Sequence, residues 1–224
     1  MKIQSLTDIF TMIDELYLYL EDKAIDFDEE GFPIFREEMF LRDWPELVIP
    51  YAQRKNRIVR NPKKTVLCHF DKDHKLYPRL GKILEEIDEY KRFMGVVGLD
   101  VTITEDMDYE WQKAICLLNQ LFLATLAVND IKIVINTRAA GLETNKIFKN
   151  FPQQVMAASG FLGCETIRDE LDYLYLEKIL YIMPSKLILY GKHDKRAEEQ
   201  LDTLGINYRV YTDFHRLCKE VCNG

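Results

Sequence analysis

The chain has 224 residues, 47% of them hydrophobic and 30% charged, with a formal net charge of −7. These proportions describe a globular chain with a sizeable core rather than a disordered one, and the acidic balance disfavours a broad, sequence-independent grip on phosphate backbones while leaving room for a local basic patch. No apolar run reaches the ~18 residues of a membrane-spanning helix, "MKIQSLTDIF" carries no signal-peptide pattern, and Cys68, Cys116, Cys164, Cys218 and Cys222 have neither the parity of a disulfide frame nor the spacing of a zinc site, which points to a reducing, cytoplasmic setting.

Residues 6–22 repeat apolar side chains at helical spacing (Ile9, Phe10, Ile13, Leu16, Tyr17, Leu20), and "SLTD" supplies a capping start. The acidic stretch 21–35 lacks the alternate-position ligands of a calcium loop and is expected to be a solvated connection. "DWPELVIPY" (43–51) is extended and punctuated by proline. Residues 53–64, "QRKNRIVRNPKK", hold Arg54, Lys55, Arg57, Arg60, Lys63 and Lys64 with no acid. They are either a contact for nucleic acid or an acidic partner, or simply a solvated loop.

From residue 65 strands and helices alternate. Strands are predicted at 65–70, 95–103, 131–137, 154–159, 186–191 and 206–212. Helices are predicted at 78–93, 109–129, 143–151, 169–183, 194–205 and 214–222. The pattern implies a single α/β domain, with residues 1–64 as an N-terminal helix and extended basic segment packed on a 65–224 core. Its mostly parallel sheet of about six strands is flanked by helices, either open and doubly wound or, as the alternative, a partial barrel.

Ligands of such sheets bind beyond the carboxyl ends of the strands. In 95–103 the period of two places Asp100 and Thr102 on one face, and in 131–138 it pairs Asn136 with Arg138. Asp100 as general base and Arg138 as anion clamp form one interpretation; an ion pair joining two strands is the other. Thr102, Asn136, Ser159 and Tyr190 end strands nearby, and Asn119 sits mid-helix where its amide must find a partner. Asp106 is expected to cap the helix that follows it. "GFLGCE" (160–165) has too few glycines for a phosphate loop, and Cys164 has no histidine near it in sequence. His69, Asp71, Asp73 and His74 lie on one loop, which seldom supplies a full ligand set, so no metal site is assigned. Nothing in the residues points to a particular cofactor.

"GLDVTITEDM", Gln112, Asn119, "IVINTR", "SGFLGC" and "PSKLILYG" resemble, in order and spacing, a phage- and mobile-element-associated family, domain of unknown function number forty-four seventeen. The resemblance covers residues 47 to 192. Asp100, Asp106, Met107, Gln112, Asn119, Asn136, Arg138, Ser159, Gly163, Tyr190 and Gly191 fall on the family pattern, with Thr102 in a serine-like place. Asp108 and Ile135 stand where the family has proline, and Ala139 where it has tryptophan, which removes a stacking surface. The resemblance implies a phage or mobile-element protein and supports the location of a site, not its chemistry. Two functions follow as expectations. One is a nucleotide- or nucleic-acid-related enzyme or binding protein with an anion pocket at the strand ends. The alternative is a non-enzymatic protein that binds or inhibits a host defence factor.

Overall fold

The computed structural model describes residues 5–161 and 174–222. α1 (Leu6–Leu20) starts at the expected box: Ser5 Oγ accepts from the Asp8 amide and the Asp8 carboxylate accepts from the Ser5 amide. Its apolar face (Ile9, Met12, Ile13, Leu16, Leu20) is buried. The acidic connection that follows is folded rather than merely solvated. It forms a small antiparallel hairpin, β1 (Asp26–Phe27) with β2 (Pro33–Ile34), and the Asp28 carboxylate accepts from the amides of Glu30 and Phe32 and from Asn150 Nδ2.

Seven parallel strands then run in unbroken chain order: β3 (Leu47–Pro50), β4 (Thr65–His69), β5 (Gly95–Leu99), β6 (Ile133–Asn136), β7 (Met156–Phe161), β8 (Lys186–Gly191) and β9 (Tyr208–Thr212). The extended segment at 43–51 supplies the strand beyond the six predicted, so part of the N-terminal 64 residues is an edge of the sheet itself. Between strands lie α2 (Asp73–Leu80), α3 (Ile87–Tyr90), α4 (Tyr109–Ala127), α5 (Leu142–Asn145), α6 (Leu174–Ile182) and α7 (Lys195–Thr203), and α8 (Phe214–Cys222) follows β9. The single helix predicted over 78–93 is two, because the first starts earlier and stops at Gly81.

A doubly wound sheet needs a point where strand order reverses, so that helices fall on both faces. Unbroken order with same-handed crossovers puts the helices on one face, and strand twist curls the other inward. Of the two forms expected, the nearly closed barrel is the one adopted. The inward face has its own apolar core, built from Val66, Cys68, Val97, Val134, Met156 and Ile188 with no helical residue in it among the described residues, while a larger core joins the outward face to the helices.

Two features shape the barrel's ends. At the base, where strands begin, residues 37–46 cross beneath the sheet before entering β3. The Leu41 amide donates to Ile133 O, Lys132 Nζ to Glu38 O, Lys186 Nζ to Arg42 O, and Tyr211 Oη to Pro45 O at 2.8 Å. Arg209 lies over the Trp44 ring at 4.7 Å, so this strap joins the two edge strands. At the mouth, where strands end, the Phe70 ring stacks on Tyr190 (centroids 5.5 Å apart) and lies on Gly160, where an added Cβ would sit 2.6 Å from Phe70 Cδ1.

Candidate functional site

β5 stops at Leu99, one residue before Asp100. Its final backbone groups are held by side chains from two other elements. Asn119 Oδ1 of α4 accepts from the Leu99 amide at 2.8 Å, and Asn136 Nδ2 of β6 donates to Leu99 O at 2.6 Å. Gly98 permits this approach, since a Cβ there would stand 2.7 Å from Asn119 Oδ1. Both asparagines therefore first serve as splints for the strand end. The same Asn136 Nδ2 lies 3.2 Å from Asp100 Oδ1, so the splint also fixes the carboxylate at the mouth.

Asp100 is partly buried, and burial pushes its carboxyl up to about 6; the positive charge of Arg138 and the Asn136 hydrogen bond pull the other way, Asp73 adds to the rise, and Lys178 opposes it. A carboxyl so placed changes charge close to neutral pH and can give or take a proton. Arg138, half-buried just after β6, is the cation with the largest effect on it. The structure thus brings together Asp100, Asn119, Asn136 and Arg138 from β5, α4 and the exit of β6.

Thr102 goes elsewhere. The period-two argument that placed it beside Asp100 fails because the strand has ended, and its amide and hydroxyl both donate to Asp73 Oδ1, at 3.0 and 3.1 Å. Ser159 lies on the outward face of β7. The pairing of Asn136 with Ala158 sets Thr137 beside Ser159, and their hydroxyls are 2.7 Å apart, with Tyr175 Oη of α6 at 3.2 Å from Ser159 Oγ. Tyr190 is fully buried inside the barrel, and its Oη accepts from the Phe214 amide at the start of α8. Asp106 is not the helix cap: α4 begins at Tyr109, and Asp108 Oδ1 accepts from the amides of Glu110 and Trp111. Gly163 and Cys164 lie outside the described residues.

His69 is a core residue. Its Nδ1–H donates to Val97 O at 2.9 Å, and Tyr90 O–H lies 3.3 Å from Nε2, among Tyr51 and Phe122. Burial lowers its pKa to about 4 against the hydrogen bond to Val97, with the Arg79 charge lowering it further, so the ring is neutral. A cavity of about 200 Å³ opens beside it at the β3 and β4 exits, but its two cations are committed: Lys75 to Asp71 at 2.9 Å and Arg79 to Glu86 at 3.0 Å. Among the described residues no group of three or more His, Cys, Asp or Glu is placed to hold a metal ion.

Of the basic stretch, Arg54, Lys63 and Lys64 are tied to Glu89, Lys91 O and Glu46, whereas Lys55, Arg57 and Arg60 are exposed. Sequence reasoning missed Asp73 and Lys178 as neighbours of Asp100. Asp73 is visible only as part of an acidic pair beside two histidines, and Lys178, next to Glu177 on an otherwise apolar helix, has no signal. Among the described residues no helix is long and apolar enough to cross a membrane. In comparisons with known proteins, no family model, no curated protein and no solved structure matches the chain.

Proposed function

We propose that the barrel mouth binds an anionic ligand of the nucleotide or nucleic-acid class, with Arg138 anchoring the anion and Asp100 exchanging a proton. The observation that carries this is the Asp100 carboxyl itself. It stands at a strand end on the face where parallel barrels place their chemistry, is held by Asn136, and is raised to about 6 beside a guanidinium. A planar guanidinium suits phosphate or carboxylate, and an anion drawn to it arrives next to Asp100. The resemblance in "GLDVTITEDM" and "IVINTR" agrees with the same location and makes a phage or mobile-element role part of the proposal.

Calorimetric titration with a panel of nucleoside mono-, di- and triphosphates tests it, at pH values on either side of 6. Binding is expected in the wild type, to fall about tenfold or more in Arg138→Ala, and to lose its pH dependence in Asp100→Asn. If no nucleotide binds, or both variants match the wild type at every pH, the mouth is not the site. A non-enzymatic protein that binds a host factor is then the better account.

A further inference from the structure

The connection from β3 to β4 contains no α-helix, only 3-10 turns at Tyr51–Gln53 and Pro62–Lys64. The flank of the barrel there is covered by the acid-free basic segment 53–64 instead. The fold adds cations from a second connection. Lys63 Nζ donates to Lys91 O at 2.8 Å, and the Met94 amide reaches Pro62 O at 3.1 Å and Thr65 O at 3.0 Å, so residues 91–94 lie against the loop. Arg54 Nε and Arg92 Nη1 grip the two oxygens of Glu89 at 3.1 and 2.7 Å. Burial of Glu89 works against its ionisation, yet Arg92, Arg54 and Lys55 hold its carboxyl below the usual range. One carboxylate is thus ringed by three cations, which leaves positive charge over. Exposed Glu85 and Asp88 share the second connection, but segment 53–64 itself has no acid to offset its charge.

The patch is also poor in apolar side chains. Ile58 and Val59 are only partly exposed, and Val59 packs on the core. Protein interfaces gain most from buried aromatic and apolar anchors beside their arginines, and membrane attachment is strengthened by apolar side chains that insert, neither of which this patch offers. Phosphate backbones need neither; closely spaced cations with displaced counterions suffice.

We propose that Lys55, Arg57, Arg60, Lys63, Lys91 and Arg92 form a docking surface for the phosphate backbone of a nucleic acid. This surface lies outside the barrel and holds a polyanion whether or not the mouth acts on it. On a chain of net charge −7 it is a confined track rather than a general affinity.

Titration of labelled single- and double-stranded oligonucleotides at about 50 to 200 mM salt tests it. The wild type is expected to bind, with log K falling against log salt at a slope of about −4 for single strands and about −5 for duplex, the value of six phosphate contacts. The triple variant K55A/R57A/R60A alters only exposed side chains. It is expected to unfold at the wild-type temperature, to bind at least about tenfold more weakly and to shed roughly two of that slope. Asp100→Asn is expected to leave this binding unchanged. Absence of oligonucleotide binding by the wild type, or an unaltered slope in the triple variant, overturns the proposal. So does loss of binding to anionic phospholipid vesicles in the triple variant with oligonucleotide binding intact. Failure of nucleotide binding at the mouth, with this salt-dependent binding present, sinks the mouth reading alone.

Discussion

The two ends of the barrel are both polar, and they use polarity differently. At the base, Lys132, Lys186 and Tyr211 each end on a backbone carbonyl of the crossing strap, so their hydrogen bonds simply satisfy main chain that the strap would otherwise leave unpaired. Strap and strands form a seal. At the mouth, the side chains of Asn119 and Asn136 satisfy the end of β5, and what remains is a carboxylate whose pKa burial pushes up to about 6. A polar group that has been fully matched is scaffold. One that is held in place but kept uncomfortable at a strand end, as Asp100 is, is a candidate for a site, and the strap's contacts at the base offer no such group.

Three experiments would break or sharpen this contrast. The largest loss of stability at any one pH is expected from Gly160→Val at the floor of the mouth, where even one added carbon meets Phe70 at 2.6 Å. Overpacking should lower unfolding stability by about 2–3 kcal/mol in urea titrations and displace Phe70 towards the ligand. If stability and nucleotide binding both stay at wild-type values, the floor is looser than the structure shows.

Next come the opposed titrations of Asp100 and His69. The folded carboxyl, at about 6, takes up a proton that the unfolded chain, near 3.8, has already lost. Its contribution is therefore complete below pH 4 and declines as pH climbs to 6. His69 works in the other direction. Its folded pKa of about 4 lies below the ordinary 6.5, so its contribution is present above pH 6.5 and lost as pH falls to 4. Each spans roughly 3 kcal/mol at most, and between pH 4 and 6 they largely cancel. Asp100→Asn should uncover a stability that rises with pH by about 1.4 kcal/mol per unit from the histidine, and His69→Gln should uncover the falling limb of Asp100. Chemical denaturation at half-unit pH steps reads this out; parallel pH profiles for wild type and Asp100→Asn would place the carboxyl back at an ordinary value.

The smallest effect is expected at the base. Tyr211→Phe removes one hydrogen bond to Pro45 O and should cost about 1 kcal/mol, with nucleotide binding at the mouth unchanged. A loss of binding in that variant would mean that the two ends are coupled.

Much of this was legible beforehand, and the exceptions share a cause. The helix at 109–129 announced itself by its apolar run and appears as Tyr109–Ala127, with only the cap displaced from Asp106 to Asp108. Asp100 is legible in the sequence because it follows a hydrophobic strand, and a strand end is a local property. Thr102 departs from the alternation because the end of β5 is defined only by its pairing with neighbouring strands. Ser159 is taken up by Thr137 and Tyr175 rather than by Asp100, since its facing depends on the β6–β7 register.

By itself the sequence determined the alternation of strands and helices, the acid-free basic segment and the carboxylate after β5, because each is written in composition and spacing within about 20 residues. Tertiary structure decided the rest. Strand order turned an α/β pattern into a nearly closed barrel, and that closure brought Asn119, Asn136, Arg138 and Lys178 around Asp100 from positions up to 78 residues apart in the chain. The chain carries no local signal for such meetings, because the energy that enforces them comes from burying two apolar layers at once.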